Sequence, residues 1–364
     1  MEARRRSAIT TTAGDRELLT FAGCDYLGLA HHDAVVDAAL AGIETHGLSA
    51  GASRTTTGET HIYRKLEASL ATFASVQAAT LMPEGYLANI AAMQAMRSMG
   101  PRERTIALID ERSHQSQADA AQAAGLSVER YRHLDAHDAA ARARSLGLDR
   151  VLLATDGVFA ADGAVAPLDQ LVEQIETPIL VDDCHGFGIL GPRGRGTCEH
   201  FAVASPRVAI TTTLAKTFGV YGGCILGSTQ LATSVRTHAS AFICTTPIPP
   251  ALAHAVAAAL EVHRCELDRV HRLRSNIEAV AQILAKHGLY TQQTVPTPIF
   301  AFALGNPEQT HALAHGLLEH NILVPAIGYP GGPAEVYCRL AVSSQHEPEH
   351  IDLLGDVLAG LLDH

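Results

Sequence analysis

The sequence predicts an α/β fold, with a mostly parallel central sheet in a large domain and a smaller α+β domain after it. In the central part of the chain, short apolar segments alternate with helical segments. This alternation is typical of parallel sheets that are covered by helices on both faces. The proline-rich segment Pro247–Pro250 ends the alternation. At 364 residues, the chain is long enough for more than one domain.

These observations divide the chain into three parts. Residues 1–45 are an N-terminal segment, residues 46–250 are the large domain, and residues 251–364 are a long connecting helix and a small C-terminal domain. The length also allows each domain a hydrophobic core of its own, because the buried fraction of a chain rises with its size.

The first elements surround a loop that is rich in small polar residues. A short strand is predicted over Leu18–Ala22 and a helix over His32–Ile43. The segment Gly42–Gly58 is dense in Gly, Ser and Thr, which predicts a loop with several turns. Apolar residues at helical spacing predict two further helices, over Tyr63–Phe73 and Tyr86–Met99.

The central segments alternate between patterns that are typical of strands and patterns that are typical of helices. Strands are predicted over Thr105–Ile109, Val151–Ala154, Ile179–Val181, Val208–Thr211 and Gly223–Leu226, and helices over Gln115–Ala124 and Leu168–Ile175. Parallel sheets bind their ligands at the carboxyl ends of the strands. The last part of the chain is predicted to contain one long helix over 251–288, which leads into the segment Pro298–Ala303, then a helix over Gln309–His320 and a strand near Val336–Val342.

Charge and composition exclude several classes of protein. The net charge is −11 and the only basic run is Arg4–Arg6, so the sequence lacks the chain-wide positive charge that is typical of nucleic-acid-binding proteins. No apolar stretch approaches the roughly 20 residues of a membrane span, and no apolar signal core is found. The seven cysteines form no Cys-x-x-Cys pair. Reduced thiols, no metal site and a cytoplasmic location are therefore expected.

A buried strand that ends in ionisable groups gives the first indication of a site. The apolar segment Ile179–Val181 leads directly into Asp182 and Asp183, and His185 follows. Two carboxylates and an imidazole at a strand end are compatible with a cofactor site or a metal site. These residue types alone do not decide between the two.

A lysine in unusual surroundings favours the cofactor. Lys216 lies in the apolar, glycine-flanked segment Thr211–Gly219 of a chain that has few lysines. Burying a lysine is costly unless its charge is used or removed, and a neutral amine can attack an aldehyde. Pyridoxal phosphate needs three further groups, and the sequence offers all of them. They are a carboxylate for the pyridine nitrogen, a histidine for the ring hydroxyl and a glycine-containing helix start for the phosphate. The sequence therefore predicts bound pyridoxal phosphate.

The chain resembles the α-oxoamine synthases, which are fold type I pyridoxal-phosphate enzymes. The resemblance extends from about residue 20 to the C-terminus and is carried by Asp25–His32, Gly51–Arg54, Gly85–Asn89, Asp110–His114, Asp156–Phe159, Asp182–Gly186, Thr213–Lys216 and Arg339–Leu340. It implies a homodimeric acyltransferase that condenses an amino acid with an acyl thioester and releases carbon dioxide, as 8-amino-7-oxononanoate synthases do. The thioester could be carried by coenzyme A or by a carrier protein.

The resemblance also implies roles for single residues. Lys216 would hold the cofactor as a Schiff base, with Asp182 at the pyridine nitrogen and His185 at the ring hydroxyl. His114 would lie on the face of the ring. The remaining assignments are phosphate binding by Gly85, Tyr86 and Thr213, contact with a phosphate across the dimer interface by Thr245 or Thr246, and binding of the amino-acid carboxylate by Arg339.

Some positions depart from the family pattern and leave the second substrate open. The substituted positions are Cys24 in place of Asn, Tyr63 in place of His, Glu84 in place of Ser, Ala160 in place of Ser and Tyr337 in place of Arg. The alternatives are a synthase with another acyl donor, such as a glycine C-acetyltransferase or an autoinducer-type synthase, an aminotransferase, or a non-catalytic binding protein. An aminotransferase would consume a keto acid without releasing coenzyme A.

Overall fold

The computed structural model describes residues 4–5, 7–290 and 295–362. The chain forms two compact units. The small unit comprises Met1–His32, Ala160–Ala164 and His263–His364, and the large unit comprises Asp33–Phe159 and Val165–Val262. The boundaries predicted at residues 45 and 250 differ from this division, because the helices next to them belong mainly to the large unit.

The strands are numbered in chain order. Their bounds are β1 (Arg4–Arg5), β2 (Thr10–Ala13), β3 (Arg16–Thr20), β4 (Ala78–Met82), β5 (Ile106–Asp110), β6 (Ser127–Tyr131), β7 (Val151–Asp156), β8 (Ile179–Asp182), β9 (Val208–Thr213), β10 (Gly223–Gly227), β11 (Ile299–Phe302), β12 (Ile322–Leu323), β13 (Ala326–Ile327) and β14 (Tyr337–Ala341).

The helices are numbered in the same way. Their bounds are α1 (Asp33–His46), α2 (His61–Ala74), α3 (Gly85–Met99), α4 (Gln115–Ala123), α5 (Ala136–Leu146), α6 (Leu168–Gln174), α7 (Thr197–His200), α8 (Thr229–His238), α9 (Ser240–Ile243), α10 (Pro250–Cys265), α11 (Asp268–Lys286), α12 (Pro307–Glu319) and α13 (Pro348–Leu362), with a 3₁₀ turn over Leu148–Arg150. None of the helices built from the described residues is long and apolar enough to cross a bilayer.

The large unit is built on a seven-stranded sheet in the order β4-β10-β9-β8-β7-β5-β6. Only β10 runs against its neighbours, and the other strands point in one direction. The predicted mostly parallel sheet is therefore confirmed. Since β5, β7 and β8 end in Asp110, Asp156 and Asp182, the sheet brings carboxylates to one edge, and Asp156 lies opposite Asp182 in the strand register.

Close packing of α3 positions the start of that helix at the same edge. Its alanines at 88, 91, 92 and 95 are fully buried in the core that the helix shares with the sheet. Small side chains allow a helix backbone to approach its neighbours closely, because packed interiors leave few voids. The first turn of α3, with Gly85 and Asn89, is thereby held near the ends of the strands.

The small unit contains two sheets of its own. One has the order β1-β2-β3-β12, and the other has the order β11-β14-β13. The strand β14 is central in the second sheet, and Arg339 lies in its middle, opposite Ala301 of β11. A central strand has both edges hydrogen-bonded, so the backbone at Arg339 is well fixed. The mixed α and β content agrees with the α+β character expected for the end of the chain.

The prediction of one long helix over 251–288 is wrong. Two helices, α10 and α11, are separated by Glu266 and Leu267. The break has no Gly or Pro to signal it, and the apolar periodicity continues through it. A new helix begins because the N–H groups of Arg269 and Val270 bond to the carbonyls of Glu266 and Leu267, while Glu266 also binds the Arg269 Nε.

Candidate active site

Two residues expected at the cofactor ring are in direct contact. Lys216 lies in the loop after β9 and is half-buried, and its Nζ is 2.7 Å from the Nε2 of His185. The chain has three lysines, and the other two, Lys65 and Lys286, are exposed on α2 and α11. Lys216 is therefore the lysine that the fold places at the carboxyl edge of the sheet.

The Asp182 carboxylate is buried and accepts two hydrogen bonds. Its Oδ2 accepts a hydrogen bond of 2.6 Å from the Asn89 Nδ2, and its Oδ1 accepts one of 3.1 Å from the backbone N–H of Cys184. Hydrogen bonds to a carboxylate favour its charged form. A fixed negative charge at the strand end is what a protonated pyridine nitrogen requires.

Asn89 is a further residue of this site, although no role was predicted for it from the sequence. Besides binding Asp182, its Nδ2 donates to the Ser116 Oγ at 2.9 Å, and its Oδ1 accepts from the Thr211 Oγ1 at 2.5 Å. Its position four residues after Gly85 was a signal, since residues at this spacing share one face of a helix. The amide therefore connects α3, α4, β8 and β9.

His114 joins this network through its ring. Its Nδ1 accepts from the backbone N–H of Ser116 and is 2.7 Å from the Ser116 Oγ. Because Nδ1 accepts from the Ser116 N–H, it carries no hydrogen of its own, so the Ser116 hydroxyl is the donor in its contact with Nδ1. This pattern assigns the proton of the neutral ring to Nε2. Asn89 and Ser116 thus link the expected ring-face histidine to Asp182.

Asp156 binds the backbone of the same histidine. Its carboxylate accepts from the backbone N–H of His114 and from the Gln117 Nε2 at 2.8 Å. Burial, followed by the nearby charge of Asp182, raises the pKa of Asp156 well above its ordinary value. Asp156 lies in one of the motifs shared with the family, and in the structure it anchors the start of α4.

The residues expected at the phosphate meet at the start of α3. A Cβ on Gly85 would lie 3.1 Å from the Thr213 Cβ and 3.2 Å from the Cys184 Sγ, so the close packing favours glycine there. The Thr213 Oγ1 accepts from the backbone N–H of Ala215. The backbone N–H of Tyr86 is already bound, because it donates to the Glu84 carboxylate at 3.1 Å.

Thr245 and Thr246 follow α9 and differ in their surroundings. The Thr245 Oγ1 donates to the carbonyl of Ala241 at 2.6 Å, whereas Thr246 is exposed. The prediction that one of them contacts a phosphate across a dimer interface stays a prediction.

Arg339 belongs to the small unit. Three positions that depart from the family pattern interact with it, namely Cys24, Ala160 and Tyr337. Its Nε donates to the carbonyl of Ala160 at 2.8 Å. Burial lowers the pKa of Arg339, but interactions with Tyr26 and Cys24 outweigh it and the pKa is raised. Tyr337 lies two residues earlier on β14. Burial raises the pKa of Tyr337, and the positive charge of Arg339 partly offsets this rise.

Comparisons with known proteins identify the family of the chain. Residues 16–358 match the model of the family described as aminotransferase class I and II. The chain belongs to this family. It is 35% identical to an 8-amino-7-oxononanoate synthase of Thioalkalivibrio sulfidiphilus, over 94% of this chain and 88% of the relative. It is 36% identical to the corresponding synthase of Ectopseudomonas mendocina, over 95% and 89%.

Solved structures give the same fold. A serine palmitoyltransferase from S. paucimobilis with bound PLP and myriocin superimposes with a TM-score of 0.91 at 23% identity, covering 98% of this chain and 90% of that one. An 8-amino-7-oxononanoate synthase from Francisella tularensis superimposes with a TM-score of 0.81 at 22% identity, covering 95% and 98%. The predicted fold type I architecture, the α-oxoamine synthase resemblance and the pyridoxal phosphate cofactor are confirmed. The chain is an enzyme of this type.

Proposed function

We propose that this enzyme condenses an amino acid with an acyl thioester, releasing carbon dioxide and the free thiol, as its 8-amino-7-oxononanoate synthase relatives are named for doing. The observation that carries the proposal is the contact between the Lys216 Nζ and the His185 Nε2, beside an Asp182 carboxylate that Asn89 and Cys184 hold. These groups suit the chemistry of an α-carbanion.

Pyridoxal phosphate, when bound, supplies an electron sink for the carbanion at the amino-acid α-carbon. Lys216 would hold the cofactor in the resting enzyme and, once an amino acid has taken its place, its Nζ would accept the α-proton. His185 would orient that Nζ and bind the ring hydroxyl. Asp182 would keep a positive charge on the ring nitrogen, and His114 would cover the ring face.

The amino-acid carboxylate is assigned to Arg339. A guanidinium binds a carboxylate in a planar, bidentate manner. The bond from its Nε to the carbonyl of Ala160 fixes the plane of the group, and Tyr26 and Cys24 contact it as well. Because Cys24 replaces the family's asparagine here, we expect the preferred amino acid to depend on this position.

We also propose a homodimer in which Thr245 or Thr246 contacts the phosphate of the partner subunit. The exposed Thr246 supports this placement. Light scattering of the purified enzyme should give twice the chain mass, and a monomeric mass would contradict it. The cytoplasmic location stays a prediction, and the seven free cysteines fit it.

A coenzyme A release assay across amino acids and acyl thioesters tests the proposed reaction. We expect thiol release with at least one pair of substrates, loss of release in Lys216→Ala, and retained release in the control Lys65→Ala. Carrier-protein thioesters belong in the same panel. Keto-acid consumption without thiol release would indicate an aminotransferase, and a panel in which no thioester is consumed would contradict the proposal.

A further inference from the structure

The start of α3 carries an anion of its own. Glu84 is the N-cap residue, and its carboxylate accepts hydrogen bonds from the backbone N–H groups of Tyr86 at 3.1 Å and Leu87 at 2.8 Å. The first N–H groups of a helix have no partner within the helix, and a carboxylate is a favourable acceptor for them. Both oxygens of Glu84 are used in this way.

This position coincides with the proposed phosphate site. As part of the proposed function, we take from the family resemblance that the N–H groups of Gly85 and Tyr86, together with the Thr213 hydroxyl, bind the cofactor phosphate. A phosphate and a carboxylate cannot accept from the same N–H group at once, and two anions in contact repel each other. Within the described part of the chain, no lysine, arginine or histidine forms an ion pair with Glu84 that would offset this repulsion.

We propose that Glu84 competes with the cofactor phosphate for the start of α3 and is displaced when the cofactor binds. The inference rests on the proposed placement of the phosphate. We therefore expect Glu84 to lower the affinity of the enzyme for pyridoxal phosphate. The affinity for pyridoxal, which has no phosphate group, should not be lowered. Glu84 therefore determines cofactor affinity without contacting the reacting atoms.

Comparing pyridoxal phosphate with pyridoxal separates this effect from a general change in the site. Absorbance titrations of the cofactor-free enzyme should give a Kd for pyridoxal phosphate that is about tenfold lower in Glu84→Ser and Glu84→Gln than in the unchanged enzyme, because both variants remove the negative charge that repels the phosphate. The Kd for pyridoxal should stay unchanged. The use of two variants guards against poor folding of either one.

A second acidic cap provides the matched control. Asp135 caps α5 in the same way, by accepting from the backbone N–H of Asp138 at 2.8 Å. Asp135→Ser should leave both dissociation constants unchanged. Inorganic phosphate is a further probe that does not require Schiff-base formation, and it should raise the melting temperature of Glu84→Ser more than that of the unchanged enzyme.

The outcomes distinguish this inference from the proposed function. If both Glu84 variants change the affinities for pyridoxal phosphate and pyridoxal by the same factor, or change neither, the competition does not exist. Equal stabilisation of Glu84→Ser and the unchanged enzyme by inorganic phosphate would also overturn it. By contrast, a Schiff-base absorbance that persists in Lys216→Ala would contradict the proposed function alone, whatever the Glu84 variants show.

Discussion

The ring end and the phosphate end of the proposed cofactor site lie at the same edge of the sheet and differ in how their anions are arranged. At the ring end, the Asp182 carboxylate receives neutral donors from Asn89 and Cys184 and remains available for a cation. At the phosphate end, the Glu84 carboxylate itself occupies the donors. The residues proposed to bind the cofactor ring therefore follow the family pattern, whereas Glu84, which we propose competes with the phosphate, departs from it.

The largest effect is expected at the ring end, from Asp182→Asn. Loss of the negative charge removes the stabilisation of a protonated ring nitrogen, so turnover should fall by about 10²-fold or more. Asp183→Asn is the matched control, because Asp183 is the neighbouring buried carboxylate and binds Thr197 instead. Steady-state kinetics of the two variants, both with saturating cofactor, check the difference. Equal losses would show that Asp182 has no special relation to the ring.

A smaller loss is expected from Asn89→Ala. The substitution removes the donor to Asp182 and the nearer acceptor of the Thr211 hydroxyl, so turnover should fall about tenfold and the absorbance maximum of the bound cofactor should shift. Asn276 is a buried asparagine of the small unit that donates to the carbonyls of Ser343 and His346. Asn276→Ala should lower stability without moving the cofactor spectrum, and the same spectrum in both variants would refute the assigned role of Asn89.

Asp183 should make stability depend on pH. Burial raises its pKa to about 7, whereas the unfolded chain has an ordinary value of about 4. Between these values the native state binds more protons than the unfolded state, so the free energy of unfolding falls as the pH rises. Urea unfolding across this window should show a flatter profile for Asp183→Asn. Identical slopes in the two proteins would mean that Asp183 does not titrate as described.

The smallest effect is expected in the small unit, from Cys24→Asn. The thiol contacts Arg339, which is assigned to the amino-acid carboxylate, so the substitution should change the KM for the amino acid by about threefold and leave kcat nearly unchanged. Cys265→Asn, at an exposed position, is the control. A fall in kcat with an unchanged KM would place Cys24 in the chemical step instead.

The residues of the candidate site that lie in short sequence motifs could be selected from the sequence. Asp182 and His185 follow an apolar strand directly, and Lys216 stands out because lysine is rare in this chain. The role of Asn89 was not predictable in the same way, since its partners on α4, β8 and β9 come together only in the folded sheet. For Glu84, the sequence showed an unfavourable charge, but the direction of its side chain depends on where α3 begins.

The missed elements have similar causes. The edge strand β6 was not predicted, because Glu129 and Arg130 give it a polar appearance. The strand β4 has the sequence Ala-Ala-Thr-Leu-Met, in which only Thr80 favours a strand strongly. The break between α10 and α11 depends on side-chain and backbone bonds of Glu266, and apolar periodicity does not register such bonds.

Borohydride reduction of the cofactor-loaded enzyme, followed by peptide mass spectrometry, tests most directly whether Lys216 holds pyridoxal phosphate. The reduction converts a Schiff base into a stable amine, and the three lysines lie in distinct parts of the chain. We predict the cofactor mass on the peptide that contains Lys216, with Lys65 and Lys286 unmodified. A label on Lys65 or Lys286, with Lys216 unmodified, would contradict the account.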